Sequence, residues 1–204
     1  LAEDYLALFD RRQQTAANQM PVCAISETVM KERFASRDAM DQWLARAVGE
    51  HRAYLDSALY HCRRALSLCP LAGEGYLYLS DLCFLEGGTA ATKGAYVQQA
   101  LLVRPYDGKV LFHAGRQAAL AGDFDQCLTL WRRAFRAGKI HQRQILEGLA
   151  GRIRPDDPQE EIQLLLETFQ PELHGLRLLN AIYGKTVAPD LLVGLRWSYV
   201  QSLE

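Results

Sequence analysis

The sequence lacks a long apolar run and lacks an excess of charge of either sign. No stretch reaches the roughly 18 consecutive apolar residues that a membrane-spanning helix needs. The 204 residues include 23 basic and 24 acidic side chains, a formal net charge of -1, which gives no global field to attract nucleic acid or an anionic membrane. We therefore expect no nucleic-acid partner, no membrane insertion by this chain and a cytoplasmic location. The start at Leu1 rather than methionine is also compatible with a soluble fragment of a larger or membrane-attached protein.

Cysteine is scarce and occurs in an odd number. The five residues are Cys23, Cys62, Cys69, Cys83 and Cys127, and they form no CxxC pair. Several of them occupy apolar helix positions, which is typical of buried, reduced thiols. We therefore expect all five to react slowly with thiol reagents in the folded protein, and we expect a reducing compartment.

Recognisable catalytic and metal-binding arrangements are also missing from the sequence. The five histidines never stand at the spacing of zinc ligands. The segment 88–94 contains glycine and lysine but lacks the order of a phosphate-binding loop. The acidic cluster of Asp156, Asp157, Glu160 and Glu161 precedes or begins a helix, so we interpret it as helix capping rather than as paired catalytic carboxylates. We predict no enzyme activity, no cofactor and no metal.

A repeat of 34 to 35 residues is the strongest positive feature of the sequence. Ala65, Ala100 and Ala134 are separated by 35 and 34 residues, and Pro70 and Pro105 each follow one of the first two by five residues. Two amphipathic helices per repeat, at a period near 34, are typical of arrays of helix hairpins. Because small residues let neighbouring helices approach closely, we expect the three alanines to be close-contact sites.

Residues from about 52 to 137 resemble the tetratricopeptide repeat family. The matching residues of the third window are Leu111, Ala114, Gly115 and Ala118, the turn Gly122-Asp123-Phe124, and then Cys127, Trp131 and Ala134. Lys93 and Lys139 depart from the family pattern. The resemblance implies an all-α fold, namely a right-handed α-solenoid of antiparallel helix hairpins with helical caps at both ends. An unrelated helical bundle is the alternative architecture.

The predicted organisation has three regions and no strand. Residues 1–51 form N-terminal helices that are a cap or a degenerate repeat, residues 52–152 form the repeats, and residues 153–204 form C-terminal capping helices. The predicted helices span 3–19, 21–34, 37–49, 52–68, 74–86, 91–103, 107–120, 123–137, 140–152, 158–169, 171–183 and 189–203.

The resemblance also implies a partner-binding groove lined by the first helix of each hairpin. In the helix 107–120, residues opposite the packing face share one side because they are spaced by three, four and seven. The predicted partner-binding residues are Glu74, Leu77, Tyr78 and Asp81 on one helix and Lys109, Phe112, His113 and Arg116 on the other. Such a mixed surface suits a peptide that carries an acidic residue or a free C-terminal carboxylate near an apolar side chain. Ordinary solvent-facing helix surface is the alternative interpretation.

A second charged feature is a basic run without an intervening acid. It consists of Arg132, Arg133, Arg136, Lys139 and Arg143, interleaved with Trp131 and Phe135. We interpret it as a solvated basic face, although it also suits an acidic ligand.

Three functional classes follow from these patterns. The first is a non-enzymatic scaffold that binds a protein or peptide. The second is a soluble accessory or regulatory region of a larger protein, such as a membrane-bound transporter or a glycan-assembling (O-antigen polymerase/ligase-like) enzyme. The third class is an independent enzyme. It ranks last because the sequence contains no recognisable set of converging catalytic groups.

Overall fold

The computed structural model describes residues 1–13, 20–32, 34–154 and 156–184, and every regular element among them is helical. Two short 3-10 helices, Gly49–His51 and Cys83–Glu86, accompany the α-helices. The α-helices are α1 (Ala2–Gln13), α2 (Val22–Lys31), α3 (Arg37–Val48), α4 (Arg52–Leu68), α5 (Gly73–Leu82), α6 (Ala90–Val103), α7 (Gly108–Leu120), α8 (Phe124–Ala137), α9 (Lys139–Leu149), α10 (Pro158–Phe169) and α11 (Leu173–Tyr183). The prediction of an all-α fold is confirmed for the described residues.

Side-chain caps explain where several helices begin. Asp107 accepts hydrogen bonds from the backbone N–H groups of Lys109 (2.9 Å) and Val110 (3.1 Å). Asp123 accepts one from the N–H of Gln126 at 3.0 Å. These aspartates satisfy backbone donors that have no partner within the first turn of a helix. The helices predicted at 107–120 and 123–137 therefore begin one residue later, after their caps.

Other boundaries differ by a few residues from the predicted ones. The helix predicted for 74–86 is α-helical only to Leu82, continues as a 3-10 helix to Glu86, and ends at Gly87 with φ of 76°. The helix predicted for 140–152 ends at Leu149, and that predicted for 21–34 ends at Lys31. The helix predicted for 52–68 has the predicted bounds. Residues 14–19 of the first predicted helix, and the whole helix predicted for 189–203, lie outside the described residues.

The chain divides into two compact units, residues 1–105 and 106–204. In the first unit α1 packs on α4, α4 on α5 and α5 on α6, while α2 packs on α5 and α3 on α4. Its core includes Phe9, Ile25, Leu44, Leu55 and Phe84, each 1% exposed or less. The division falls inside the region predicted to hold the repeats, and the three-region organisation stays a prediction.

In the second unit, α7 and α8 form an antiparallel hairpin. Gly108, the first residue of α7, lies against Ala137 at the end of α8, whereas Gly115 lies against Trp131, which precedes Ala137 in α8. Outside this hairpin α7 packs on α9, α8 packs on both α9 and α10, and α9 packs on α11. Small residues thus set the close approach of α7 to its neighbours.

The three repeat alanines do not share one environment. Ala100 and Ala134 are 0% exposed, as close-contact sites require. Ala65 is exposed, so its prediction as a close-contact site is wrong. The close contact between α4 and α5 at this level is made instead by Leu66 of α4 and Gly75 of α5. A Cβ atom added at Gly75 would lie only 2.8 Å from Cγ of Leu66. Here the small residue is on the partner helix.

The five cysteines are free thiols with different exposure. Cys62, Cys83 and Cys127 are buried, Cys23 is half-buried and Cys69 is exposed. The expectation that all five thiols are shielded is therefore wrong for Cys69, which lies where α4 gives way to the turn before α5. Within the described part of the chain, no helix has both the length and the apolar character needed to cross a lipid bilayer.

Candidate peptide-binding surface

Helix α7 has one buried face and one face that carries polar groups. Its buried residues are Val110, Leu111, Ala114, Gly115 and Ala118. Lys109, His113 and Arg116 are half-buried on the other side. Nη2 of Arg116 lies 3.4 Å from Nδ1 of His113. The structure therefore places these three predicted site residues together on one side of a single helix.

Leu120 extends this side of α7 with an apolar group. It is 55% exposed and follows Arg116 by four residues, which places it on the same face. We name Lys109, His113, Arg116 and Leu120, at positions i, i+4, i+7 and i+11, the α7 stripe. Leu120 was not among the predicted site residues, although its spacing from Arg116 is readable from the sequence.

Phe112 differs from the prediction because its ring turns toward α8 and α9. The ring stacks with Trp131 (centroids 5.9 Å apart, planes 15° apart) and with His141 (6.4 Å, 27°). Nε1–H of Trp131 donates a hydrogen bond of 3.0 Å to the carbonyl oxygen of Phe112. Phe112 thus fixes the edge of the α7 stripe instead of lying within it.

The four predicted site residues of α5 belong to the first unit and occupy three environments. Glu74 is exposed, and Tyr78 and Asp81 are half-buried. Leu77 is 2% exposed and lies in the core, so it is not presented at a surface. In α5 the only residues of the predicted set that reach solvent are therefore Glu74, Tyr78 and Asp81.

The predicted basic run is not a uniform solvated face. Nε of Arg132 donates a hydrogen bond of 3.0 Å to the carbonyl oxygen of Thr168, at the end of α10. Arg143 lies 4.0 Å from the carboxylate of Glu147. The guanidinium of Arg133 lies 5.9 Å from the ring centroid of Tyr106. The outer arginines of the run, Arg132 and Arg143, are therefore engaged within the fold.

The acidic cluster at the start of α10 has a capping residue and a buried carboxylate. Asp157 accepts hydrogen bonds from the N–H groups of Gln159 and Glu160, both at 3.0 Å, which confirms its predicted capping role. The residue missed by the sequence reasoning is Glu161, which is 1% exposed. Sequence spacing gives no sign that the loop before α10 folds over this side chain.

Glu161 joins the loop between α9 and α10 to α11. It accepts hydrogen bonds from the N–H groups of Gly151 (3.0 Å) and Ile153 (3.0 Å) and from the hydroxyl of Tyr183 (2.8 Å). Burial opposes ionisation of the carboxyl, but these hydrogen bonds and one from the N–H of Arg154 outweigh it and hold the pKa of Glu161 below its ordinary value. Every partner stabilises the charged form, so we assign Glu161 a structural role.

The described residues contain no candidate metal site, because no group of three histidine, cysteine, aspartate or glutamate side chains is placed there to hold an ion.

No protein-family model matches the chain, and a search of curated proteins finds no significant match. The α7 stripe combines the predicted cations Lys109 and Arg116 with the exposed apolar side chain of Leu120. Chemically, it is suited to holding a carboxylate beside an apolar side chain.

Proposed function

We propose that this protein is a non-enzymatic scaffold, built as a right-handed α-solenoid of tetratricopeptide-like hairpins, that binds a peptide or partner segment. The packing within the second unit supports the architecture. There α7 packs on α9 and α9 on α11, while α8 packs on α10. Contacts between every second helix are expected when hairpins are stacked on one another.

The α7 stripe is the observation that carries the binding proposal. Its cations are half-buried, so they attract an anion more strongly than fully solvated cations do. A hydrogen bond between a charged pair contributes about 1.5–3 kcal/mol, and Arg116 is suited to a carboxylate because a guanidinium donates two parallel hydrogen bonds. The ligand is therefore a segment with an acidic side chain or a free C-terminal carboxylate.

The spacing of the stripe also specifies where the ligand carries its apolar side chain. Arg116 and Leu120 are separated by about 6 Å along the helix axis, at 1.5 Å per residue. An extended peptide covers this distance in about two residues, at roughly 3.3 Å per residue. The carboxylate and the apolar side chain of an extended ligand should therefore stand two positions apart, on the same side of the peptide.

Selection from a library of displayed random peptides with free C-termini tests the proposal. The selected sequences should pair an acidic residue or the terminal carboxylate with an apolar residue two positions away. Amidation of the terminus, or glutamine in place of the acid, should remove binding. A library that yields no binder, or binders without a carboxylate requirement, contradicts the proposal.

A further inference from the structure

One end of the α7–α8 hairpin carries aromatic, aliphatic and cationic side chains on its surface. We call this surface the basic end, and its members are Tyr106, Arg133, Arg136, Lys139 and Ile140. Tyr106 is 84% exposed, with the guanidinium of Arg133 5.9 Å from its ring centroid. Because Gly108 lies against Ala137 and His141, the starts of α7 and α9 meet the last turn of α8 here.

Favourable interaction with a helix dipole explains the presence of only some of the side chains at the basic end. Arg136 lies in the last turn of α8, where a cation interacts favourably with the helix dipole. Lys139 is the first residue of α9, where the dipole of α9 disfavours a cation by about 0.3–1 kcal/mol. Ile140 follows it with 66% of its side chain exposed. Neither the dipole of α9 nor burial in the core explains an exposed cation and an exposed aliphatic side chain at these two positions.

We propose that the basic end binds an acidic segment of a partner protein, in which aspartate or glutamate residues flank an apolar side chain. The cations Arg133, Arg136 and Lys139 supply charge complementarity to such a segment. Tyr106 and Ile140 supply the apolar area, and tyrosine and arginine are the residue types that often dominate the energetics of protein interfaces.

The composition of the basic end favours a protein segment over a single-stranded nucleic acid. Nucleic-acid channels place successive aromatic side chains along a basic groove so that consecutive bases stack. Among the five members of the basic end only Tyr106 has an aromatic ring, the nearby ring of His141 is stacked on Phe112, and the aliphatic side chain of Ile140 adds nothing to base stacking. The basic end shares no residue with the α7 stripe, so it is proposed independently of the ligand proposed there.

Fluorescence anisotropy with the full chain tests this inference. The probe is a fluorescein-labelled peptide with an amidated C-terminus, in which one glutamate stands directly on each side of a single leucine and no acidic residue stands two positions from that leucine. Its matched control has glutamine at both glutamate positions. The glutamate peptide should bind and the glutamine peptide should not. Arg136→Glu with Lys139→Glu should weaken binding at least about tenfold, as the loss of one charged contact does, and Tyr106→Ser should weaken it without any change in net charge.

The control for long-range electrostatics is the same charge reversal placed on the α7 stripe. Lys109→Glu with Arg116→Glu should leave affinity for the probe within a few-fold of the unmodified protein. The inference is overturned if the glutamate peptide does not bind, or if reversal on the α7 stripe weakens it as much as reversal at the basic end. It is also overturned if a thymidine oligonucleotide binds more tightly than the peptide. Because the probe lacks both the spacing and the free carboxylate proposed for the α7 stripe, its failure to bind leaves peptide selection at that stripe unaffected, and the two proposals fail separately.

Discussion

Gly115 of α7 packs tightly against the indole of Trp131 of α8. A Cβ atom added at Gly115 would stand 2.3 Å from Cδ1 and 2.5 Å from Nε1 of the ring. The indole is held by its hydrogen bond to the carbonyl oxygen of Phe112 and by stacking on the Phe112 ring. The glycine therefore allows the hairpin that carries the α7 stripe to close.

Replacing this glycine should destabilise the protein although alanine is the better helix former. In Gly115→Ala the methyl group overlaps a ring that is fixed by Phe112, and overpacking costs about 1–3 kcal/mol. The gain in helix propensity offsets at most about 1 kcal/mol of this cost. The matched control is Gly94→Ala, because no atom lies within 4 Å of the added methyl. Urea unfolding should show lower stability for the first variant only, and equal stabilities would contradict the assigned contact.

Substitution by leucine should change the stability of the protein by different amounts at the three repeat alanines. Ala100→Leu and Ala134→Leu insert three carbons at sites that are 0% exposed, so each should lower the unfolding free energy by about 1–3 kcal/mol. Ala65 is exposed, and Ala65→Leu should change stability by less than about 0.5 kcal/mol. Thermal unfolding of the three variants checks this order. An undiminished melting temperature for both buried variants would count against the repeat register.

Thiol reactivity should be dominated by Cys69. Burial raises the pKa of Cys62 and Cys83 to about 11 and also raises that of Cys127, so these thiols are protonated and shielded at neutral pH. Alkylation with iodoacetamide, followed residue by residue by mass spectrometry, should modify Cys69 first and the three buried thiols only after unfolding. Comparable rates for Cys62 and Cys69 in the folded protein would contradict their different burial.

Loss of the Glu161 carboxylate should reduce both stability and its dependence on pH. Because the folded pKa of Glu161 lies below its ordinary value, the stabilisation is present above the unfolded pKa of about 4.3. It is lost as the pH falls through the folded pKa. Glu161→Gln should lower the unfolding free energy at pH 7 by about 1–3 kcal/mol, since an amide group faces buried donors. The acid sensitivity of the variant should be smaller.

Glu160 provides the matched control for that substitution. It is an exposed neighbour whose carboxylate lies 3.7 Å from Nε of Arg154, and exposed pairs of this kind contribute little. Urea titrations between pH 3 and pH 7 should therefore leave Glu160→Gln close to the unmodified protein. If both variants lose the same stability, the buried hydrogen bonds of Glu161 are not the cause.

Local signals were sufficient to predict most helices but not the surface that they form. Prolines and capping residues act within one turn, which explains why the bounds of α4 were predicted correctly and why Asp107 and Asp123 shifted others by only one residue. The exposure of Ala65 depends on which residue of α5 approaches α4, and the position of the Phe112 ring depends on His141 of another helix. Contacts of this kind are set by tertiary packing, which a repeat spacing does not specify.

Calorimetric titration of one selected peptide against charge-reversed variants tests the binding role of the α7 stripe most directly. Lys109→Glu with Arg116→Glu should weaken the peptide at least about tenfold, because two attractive contacts become repulsive, and added salt should reproduce part of that loss. Circular dichroism should show unchanged helix content. Reversal of Arg133 and Arg136 is the matched control and should leave the affinity within a few-fold. The account is contradicted if the α7 variant binds normally while changes at Arg132, Arg133 and Arg136 abolish binding.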